Sequence, residues 1–358
     1  MSVALERPLD EAKLHEFAGK MLGDLGAAMG AALIIIGDKL GLYKTLHERG
    51  PMTSDALAAA TGTRERYVRE WLANQAASGY LVYDATDKTF SLPPEQAAML
   101  ADESSPLYMH GAFQIAQAAI ADEPHITESF KTGNGFGWHE HDVRLFEGTE
   151  RFFRPSYNAH LLSEWIPACE GVEAKLQRGA KVADIGCGLG ASTILMAKAY
   201  PNSTFYGFDY HPGSIEKAKE RAKAAGVADR IVFQTATAKD FPGEDYDFIA
   251  FFDCLHDMGD PAGAAAAIRQ RLAPKGTWMV VEPFAGDRLE ENLTPVGRIY
   301  YAASTLLCVP ASLSQEVGTA LGAQAGEARI REIAEQAGFT RFRRATQTPF
   351  NIVYEIRR

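Results

Sequence analysis

Two stretches of this sequence bring together residues whose types and spacing suit chemistry. The first is Lys181-Val-Ala-Asp-Ile-Gly-Cys-Gly-Leu-Gly-Ala-Ser192, an apolar run meeting three alternate glycines, Gly186, Gly188 and Gly190, with Asp184 just ahead of them. Alternate glycines allow positive φ and close backbone approach, so a ligand can lie on the turn and face the first N–H groups of the next helix. Dinucleotide sites use G-x-G-x-x-G, whereas here the spacing is G-x-G-x-G with an acid before it. That suits a ligand carrying an ammonium group and no pyrophosphate. A second apolar run, Thr204-Phe-Tyr-Gly-Phe208, ends in Asp209, where a carboxylate accepts hydrogen bonds from both ribose hydroxyls; Tyr210 follows it. The other stretch is Asp253-Cys-Leu-His-Asp257, directly after the apolar Tyr246-Asp-Phe-Ile-Ala-Phe-Phe252. Open α/β sheets place ligands at such a C-terminal strand edge. His256, with an ordinary imidazole pKa near 6.5, would be largely unprotonated at neutral pH and able to accept a proton.

These groups need a sheet to hold them, and the chain is long enough to build one beside a second domain. It has 358 residues, 46% apolar and 23% charged, an ordinary globular composition with room for two cores. The net charge of −10 disfavours binding along a phosphate backbone. Cys169, Cys187, Cys254 and Cys308 show neither a disulfide framework nor a zinc spacing, so the expected compartment is the reducing cytoplasm and no metal is expected. The N-terminus lacks the order of a secretory signal. The apolar run from Leu25 to Ile36 is too short for a bilayer core of about 30 Å, and reads as a buried helix.

Three segments are expected: residues 1–103, 104–177 and 178–358. In the first, Ala31 to Leu46 reads as one helix, Thr53 caps another, and Thr63 to Ser78 carries Tyr67, Val68, Trp71, Leu72 and Gln75 at helical spacing. Gly79 stops that helix, and Tyr80–Tyr83 with Thr89–Leu92 make a two-stranded wing. This region resembles a winged helix-turn-helix. Acidic residues outnumber basic ones over residues 1–100, and Glu65 and Glu70 interleave with Arg64, Arg66 and Arg69 on the candidate recognition helix. A groove-reading module presents a clustered basic face, so nucleic acid is not the expected partner. The second segment is a helical connector rich in aromatic and imidazole groups. Tyr108, Gln114, Trp138 and Tyr157 are its candidates for a substrate lid, and a metal at His139-Glu-His141 is weakly indicated because no third ligand is near.

From about Arg178 to the C-terminus the chain resembles the class I S-adenosylmethionine (SAM) methyltransferases. Besides the glycine turn, Ile231 to Pro242 looks like their third strand and adenine-contacting turn, Leu272-Ala-Pro-Lys-Gly276 with Trp278–Glu282 like the approach to strand five, and Gly338–Phe342 with Phe350–Ile356 like the closing antiparallel pair. The resemblance implies an α/β, Rossmann-like sheet of seven strands behind a mainly helical winged-helix domain that mediates homodimerisation. It implies SAM as cofactor, with Asp184, Gly186, Gly188 and Gly190 at the methionine end, Asp209 and Tyr210 at the ribose, Thr237 and Ala238 at the adenine, and Asp253 nearby. Cys254-Leu-His-Asp-Met-Gly-Asp260 resembles the His-Asp-Trp-x-Asp segment of small-molecule O-methyltransferases. That makes His256 the general base and Glu282 the acid that orients it. Thr237 stands where the family has an acid, and Phe252 where plant members have a lysine. Arg298 and Tyr301, with Tyr300, fall where these folds build a substrate wall and would suit a carboxylate. Methylation of oxygen, of nitrogen, or of sulfur in a small methylthio acid remains open, as does a SAM-sensing transcriptional regulator.

Overall fold

The computed structural model describes residues 9–358 and divides into two compact units, 1–117 and 118–358. The first unit opens with α1 (Glu11–Lys39), whose first free N–H groups are capped by the Asp10 carboxylate. Next come α2 (Leu42–Arg49), α3 (Ser54–Thr61), α4 (Glu65–Ala77), the hairpin β1 (Val82–Asp84) and β2 (Thr89–Ser91), α5 (Pro94–Leu100), and α6 (His110–Ala121), which carries the chain across the boundary. Ile34, Leu42, Tyr43, Leu57, Trp71 and Leu72 form the first core. Gly37 has to be a glycine for packing reasons: a Cβ there would stand 2.5 Å from the Trp71 ring and 2.6 Å from Tyr43.

Two readings of this region are corrected. Ala31 to Leu46 is not one helix, because Gly41, at φ 66°, breaks it between α1 and α2. Nor is the Leu25–Ile36 run buried throughout. Ile34 and Ile35 are enclosed, but Leu25 and Met29 are 58% and 72% exposed and extend a stripe that includes Phe17, Met21 and Leu22. By length and composition α1 is the one helix among the described residues apolar enough to cross a membrane.

The second unit continues with α7 (Glu123–Thr132), a short turn at Trp138–Glu140, and α8 (Arg144–Ser156). After Pro155 the helix widens to a π-helical segment, Tyr157–Trp165, running into α9 (Ile166–Ala168); a proline lacks the N–H that would keep the α ladder in register. Then follow α10 (Val172–Arg178), β3 (Lys181–Ile185), α11 (Ala191–Ala199), β4 (Thr204–Asp209), α12 (Pro212–Ala224), β5 (Ile231–Thr235), β6 (Tyr246–Phe252), α13 (Pro261–Arg271), β7 (Leu272–Pro283), α14 (Pro295–Ala303), a π-helical turn Ser304–Cys308, α15 (Val309–Leu313), α16 (Gly326–Gln336), β8 (Arg341–Gln347) and β9 (Asn351–Arg357).

The seven strands lie in the order β5-β4-β3-β6-β7-β9-β8, parallel except for β9, which runs antiparallel to both β7 and β8. Central strands covered on both faces read as continuous apolar runs, as β3, β6 and β7 do. One core packs Met196, Phe205, Phe248 and Met279 against Leu161 and Trp165; the other packs Phe208, Phe251 and Trp278 against Ile268, Ile330 and Ile333. The order reverses between β3 and β6, so the loops leaving their C-terminal ends diverge and open a crevice there.

Candidate functional site

The β3–α11 turn is held from behind. Asp184 is fully buried, and one of its oxygens accepts hydrogen bonds from Ser192 and Thr193 of α11, both at 2.6 Å, while Oδ1 has no partner. Burial raises its carboxyl to about 6, and the two hydroxyls oppose that shift. Gly186 has φ 73°, and a Cβ there would meet Cys254 Sγ at 2.8 Å, so the turn lies directly against the loop leaving β6. Above Gly188, at φ 51°, a Cβ would find nothing within 4 Å. The outer face of the turn is therefore an open cradle. Asp209, at the end of β4, closes one side: its Oδ2 accepts from the Gly188 N–H at 2.9 Å and its Oδ1 from the His211 N–H at 2.8 Å.

The loop leaving β6 carries the second cluster. Asp253 has φ 49°, strained for a non-glycine residue; its Oδ1 accepts from Asn351 Nδ2 at 2.8 Å, and its Oδ2 is buried without a partner. Three residues on, His256 is buried, and its Nδ1 lies 2.6 Å from Glu282 Oε2. Glu282 Oε1 accepts from the Leu255 N–H at 3.0 Å, so one carboxylate at the end of β7 fixes both the loop and the imidazole. The Nδ1–H thus donates to Glu282, leaving Nε2 as the working nitrogen.

The electrostatics depart from the expected imidazole near 6.5. Burial alone would lower the His256 pKa, but the Glu282 and Asp257 charges outweigh it and hold the ring well above its ordinary value. Asp253 is pushed up strongly by burial and by the neighbouring Glu282 charge, and Asp209 is raised by burial. Asp184 and Asp209 thus interact as one pair of acids, and Asp253, Asp257 and Glu282 as a second group on the adjoining loop. Such a site favours a cationic occupant.

The remaining sequence candidates are distributed unevenly. Thr237 donates its hydroxyl to Asp240 Oδ1 at 2.6 Å, and its N–H goes to the same oxygen; Ala238 sits half-buried beside it. Asp240 therefore places an acid on the same turn as Thr237, a pairing that the T-x-x-D turn signal encodes. Tyr210 follows Asp209 and faces His139, ring centroids 6.3 Å apart. Trp138 packs edge-on to Phe146, which stacks on His211. His139 and His141 do not converge: His139 is exposed, whereas His141 is buried with its Nδ1 2.8 Å from Asp122. Gly135 packs tightly, since a Cβ there would meet the Ser314 nitrogen at 2.0 Å. Tyr157 is buried against Phe252, close enough to Asp253 and Asp184 for both charges to raise its pKa further after burial.

Arg298 is exposed on α14 and Tyr301 half-buried, while Tyr300 donates its hydroxyl to the Phe350 carbonyl at 2.7 Å and so serves packing rather than a clamp. Tyr108 and Gln114 belong to the first unit, where Tyr108 donates to Asp38. Asn351 was not legible as a site residue, because β9 brings it to Asp253 from 98 positions away.

Residues 28–102 match the family model described as an Rv2258c-like winged HTH domain, and residues 176–338 match that of a methyltransferase domain. The chain is 32% identical over 139 residues to the 27-O-demethylrifamycin SV methyltransferase of Amycolatopsis mediterranei, covering 37% of this chain and 51% of that one. It is 26% identical over 329 residues to the mitomycin biosynthesis 6-O-methyltransferase of Streptomyces lavendulae, covering 88% and 86%. The chain spans about half or less of the length of the first curated relatives it matches. Among solved structures, human N-acetylserotonin methyltransferase in complex with SAM superposes with a TM-score of 0.70 at 15% identity, over 99% of each chain. At that identity the likeness is one of fold.

Proposed function

Because this chain belongs to the class I SAM-dependent methyltransferases that carry a winged-helix domain ahead of the catalytic sheet, we propose that it methylates a hydroxyl oxygen of a small molecule with His256 as general base. One observation carries the proposal: the buried Glu282–His256 pair, 2.6 Å apart, on the loop that touches the glycine turn through Cys254. The O-methyltransferase names of the relatives support the choice of oxygen over nitrogen or sulfur.

The residues fit SAM. The unpartnered Asp184 Oδ1 and Asp253 Oδ2, the open cradle over Gly188 and the two groups of acids suit a ligand with an ammonium and a sulfonium. When bound, SAM supplies an electrophilic methyl and a positive charge. Asp209, held by two backbone N–H groups, turns its remaining lone pairs to the ribose hydroxyls, with Tyr210 beside it. Gly186, Gly188 and Gly190 face the methionine end, Asp184 acting through the turn it holds. Thr237 and Ala238 meet the adenine, the Thr237 hydroxyl keeping its lone pairs for the exocyclic amine while it donates to Asp240. His256 in its neutral form accepts the substrate hydroxyl proton at Nε2, and Glu282 stabilises the resulting imidazolium. Trp138 and Tyr157 exclude water and align the acceptor for in-line displacement; Arg298 and Tyr301 are the further substrate contacts proposed within the same unit. No metal is required for this transfer.

The exposed stripe of α1 supports a homodimer formed through the N-terminal domain, residues 1–103, with 104–177 as lid and 178–358 as catalytic domain. Arg66 pairs with Glu70 at 2.6 Å and Arg69 with Glu65 at 2.8 Å, which neutralises the candidate recognition helix and argues against nucleic acid as a partner. The free cysteines agree with a cytoplasmic setting.

The test is calorimetric titration of wild type and Asp209→Ala with SAM and with its demethylated product. Binding by the wild type and weakening of at least tenfold in the variant, about 1.4 kcal/mol, are expected. No binding to either ligand would overturn the proposal.

A further inference from the structure

A second arrangement at the same loop shares His256 with the methyl-transfer proposal and adds Asp257 and Cys308, to which that transfer assigns no role. His256, Asp257 and Cys308 each turn a metal-binding atom toward the others, all three atoms lying within 4.8 Å of one another. His256 Nε2 and Asp257 Oδ1 are 3.3 Å apart, yet Oδ1 makes no hydrogen bond. The Cys308 thiol interacts with both side chains, so nitrogen, oxygen and sulfur meet in one cluster. Donors about 2.0–2.1 Å from a tetrahedral zinc ion stand roughly 3.4 Å from each other, and a thiolate at about 2.3 Å stands slightly farther.

Three features complete a metal-binding design. The other nitrogen of His256 is held by Glu282, the carboxylate–histidine arrangement that orients metal-ligating imidazoles and raises their basicity. The frame is rigid. Ser312 donates to the Met258 carbonyl at 2.8 Å, Gln315 Nε2 to the Asp257 carbonyl at 2.8 Å, and the Gly259 N–H to Gln315 Oε1 at 3.0 Å. These bonds tie the segment carrying Cys308 to the loop carrying His256 and Asp257. An entry path also exists, because the Asp257 side chain is 22% exposed while those of His256 and Cys308 are enclosed. Nitrogen, oxygen and sulfur in one buried set select a borderline-soft divalent ion such as zinc over magnesium or calcium.

We propose that His256, Asp257 and Cys308 form a binding site for one thiophilic divalent cation, with solvent in the fourth position. Coordination releases two protons to solvent, the Cys308 thiol proton and the Nε2 proton of the imidazolium that Glu282 and Asp257 favour, and then occupies the freed Nε2 lone pair. Where the methyl-transfer proposal holds, the loaded protein is inhibited and a chelator restores it; cation binding itself does not depend on that reading.

The probe is cobalt(II), titrated into chelator-treated full-length protein. The expected result is one equivalent bound, with the near-ultraviolet sulfur-to-cobalt absorption and the strong visible bands of a tetrahedral site, displaced by zinc. Cys308→Ser removes the near-ultraviolet band while retaining the circular dichroism spectrum, and Asp257→Asn weakens binding at least tenfold. In the wild type, where no variant has to fold, zinc protects Cys308 from alkylation under mild denaturant, read by mass spectrometry. Absence of the sulfur band from the wild type, its persistence in Cys308→Ser, or equal alkylation with and without zinc would overturn the site. Loss of SAM binding with these signals intact would overturn the methyl-transfer reading alone.

Discussion

Replacing Glu282 by Gln changes one charge and almost no volume, and it separates the base from its surroundings. In the wild type the buried Glu282 carboxylate lies 2.6 Å from His256 Nδ1 and also accepts from the Leu255 N–H. Unit charges about 3 Å apart interact by roughly 5 kcal/mol at an effective dielectric near 20. Opposite charges at such range commonly move a pKa by about 1–3 units, or about 1.4–4 kcal/mol. His256 sits well above its ordinary pKa because Glu282 and Asp257 outweigh burial, so the neutral base of the free enzyme accumulates at higher pH than an ordinary imidazole would. Measured in chelator-treated protein, kcat/KM should climb with pH through a value above 6.5. Glu282→Gln should move that limb to lower pH by about 1–3 units, with Asp257 keeping it from falling the whole way. The plateau should drop by about 10²–10⁴, because an amide NH₂ facing Nδ1 favours the tautomer with its proton on Nε2. A limb at the wild-type position, or a plateau within threefold of wild type, would refute His256 as a base oriented by Glu282.

Two further predictions concern stability and assembly. Asp184 is raised from 3.8 to about 6 by burial; a raised carboxyl stabilises the fold below its unfolded pKa and loses that contribution as pH rises through about 6. Asp184→Asn should therefore stabilise the ligand-free protein at pH 8 by up to about 3 kcal/mol, read as a higher Tm, with little effect at pH 4, while weakening SAM binding; an unchanged or lowered Tm at pH 8 would contradict the assignment. On α1, Leu22 and Met29 are 71% and 72% exposed, so Leu22→Glu with Met29→Glu should leave the protomer fold intact and shift sedimentation from dimer to monomer. A monomeric wild type would refute the dimer.

The sheet and the cofactor turn were legible in the sequence because both are local. Alternate glycines between an apolar run and a helix, and an acid ending the next strand, need only neighbours along the chain to acquire meaning. The same holds for His256 and Glu282 once each is placed at a strand end. Local signals failed where the deciding contact is distant. The exposure of α1 depends on what packs against it, which spacing does not encode. The His256 pKa follows from carboxylates on β7 and on the adjoining residue acting at short range in a buried site, a balance of desolvation and Coulomb terms that only coordinates provide. Asn351 reaching Asp253, and Cys308 reaching His256 and Asp257 through a π-helical turn, arise from chain return across the sheet. The sequence by itself determined which chemical groups the protein owns and which strand ends carry them. Tertiary structure decided which of them share one low-dielectric space, and there their separations set charge, basicity and ligand choice.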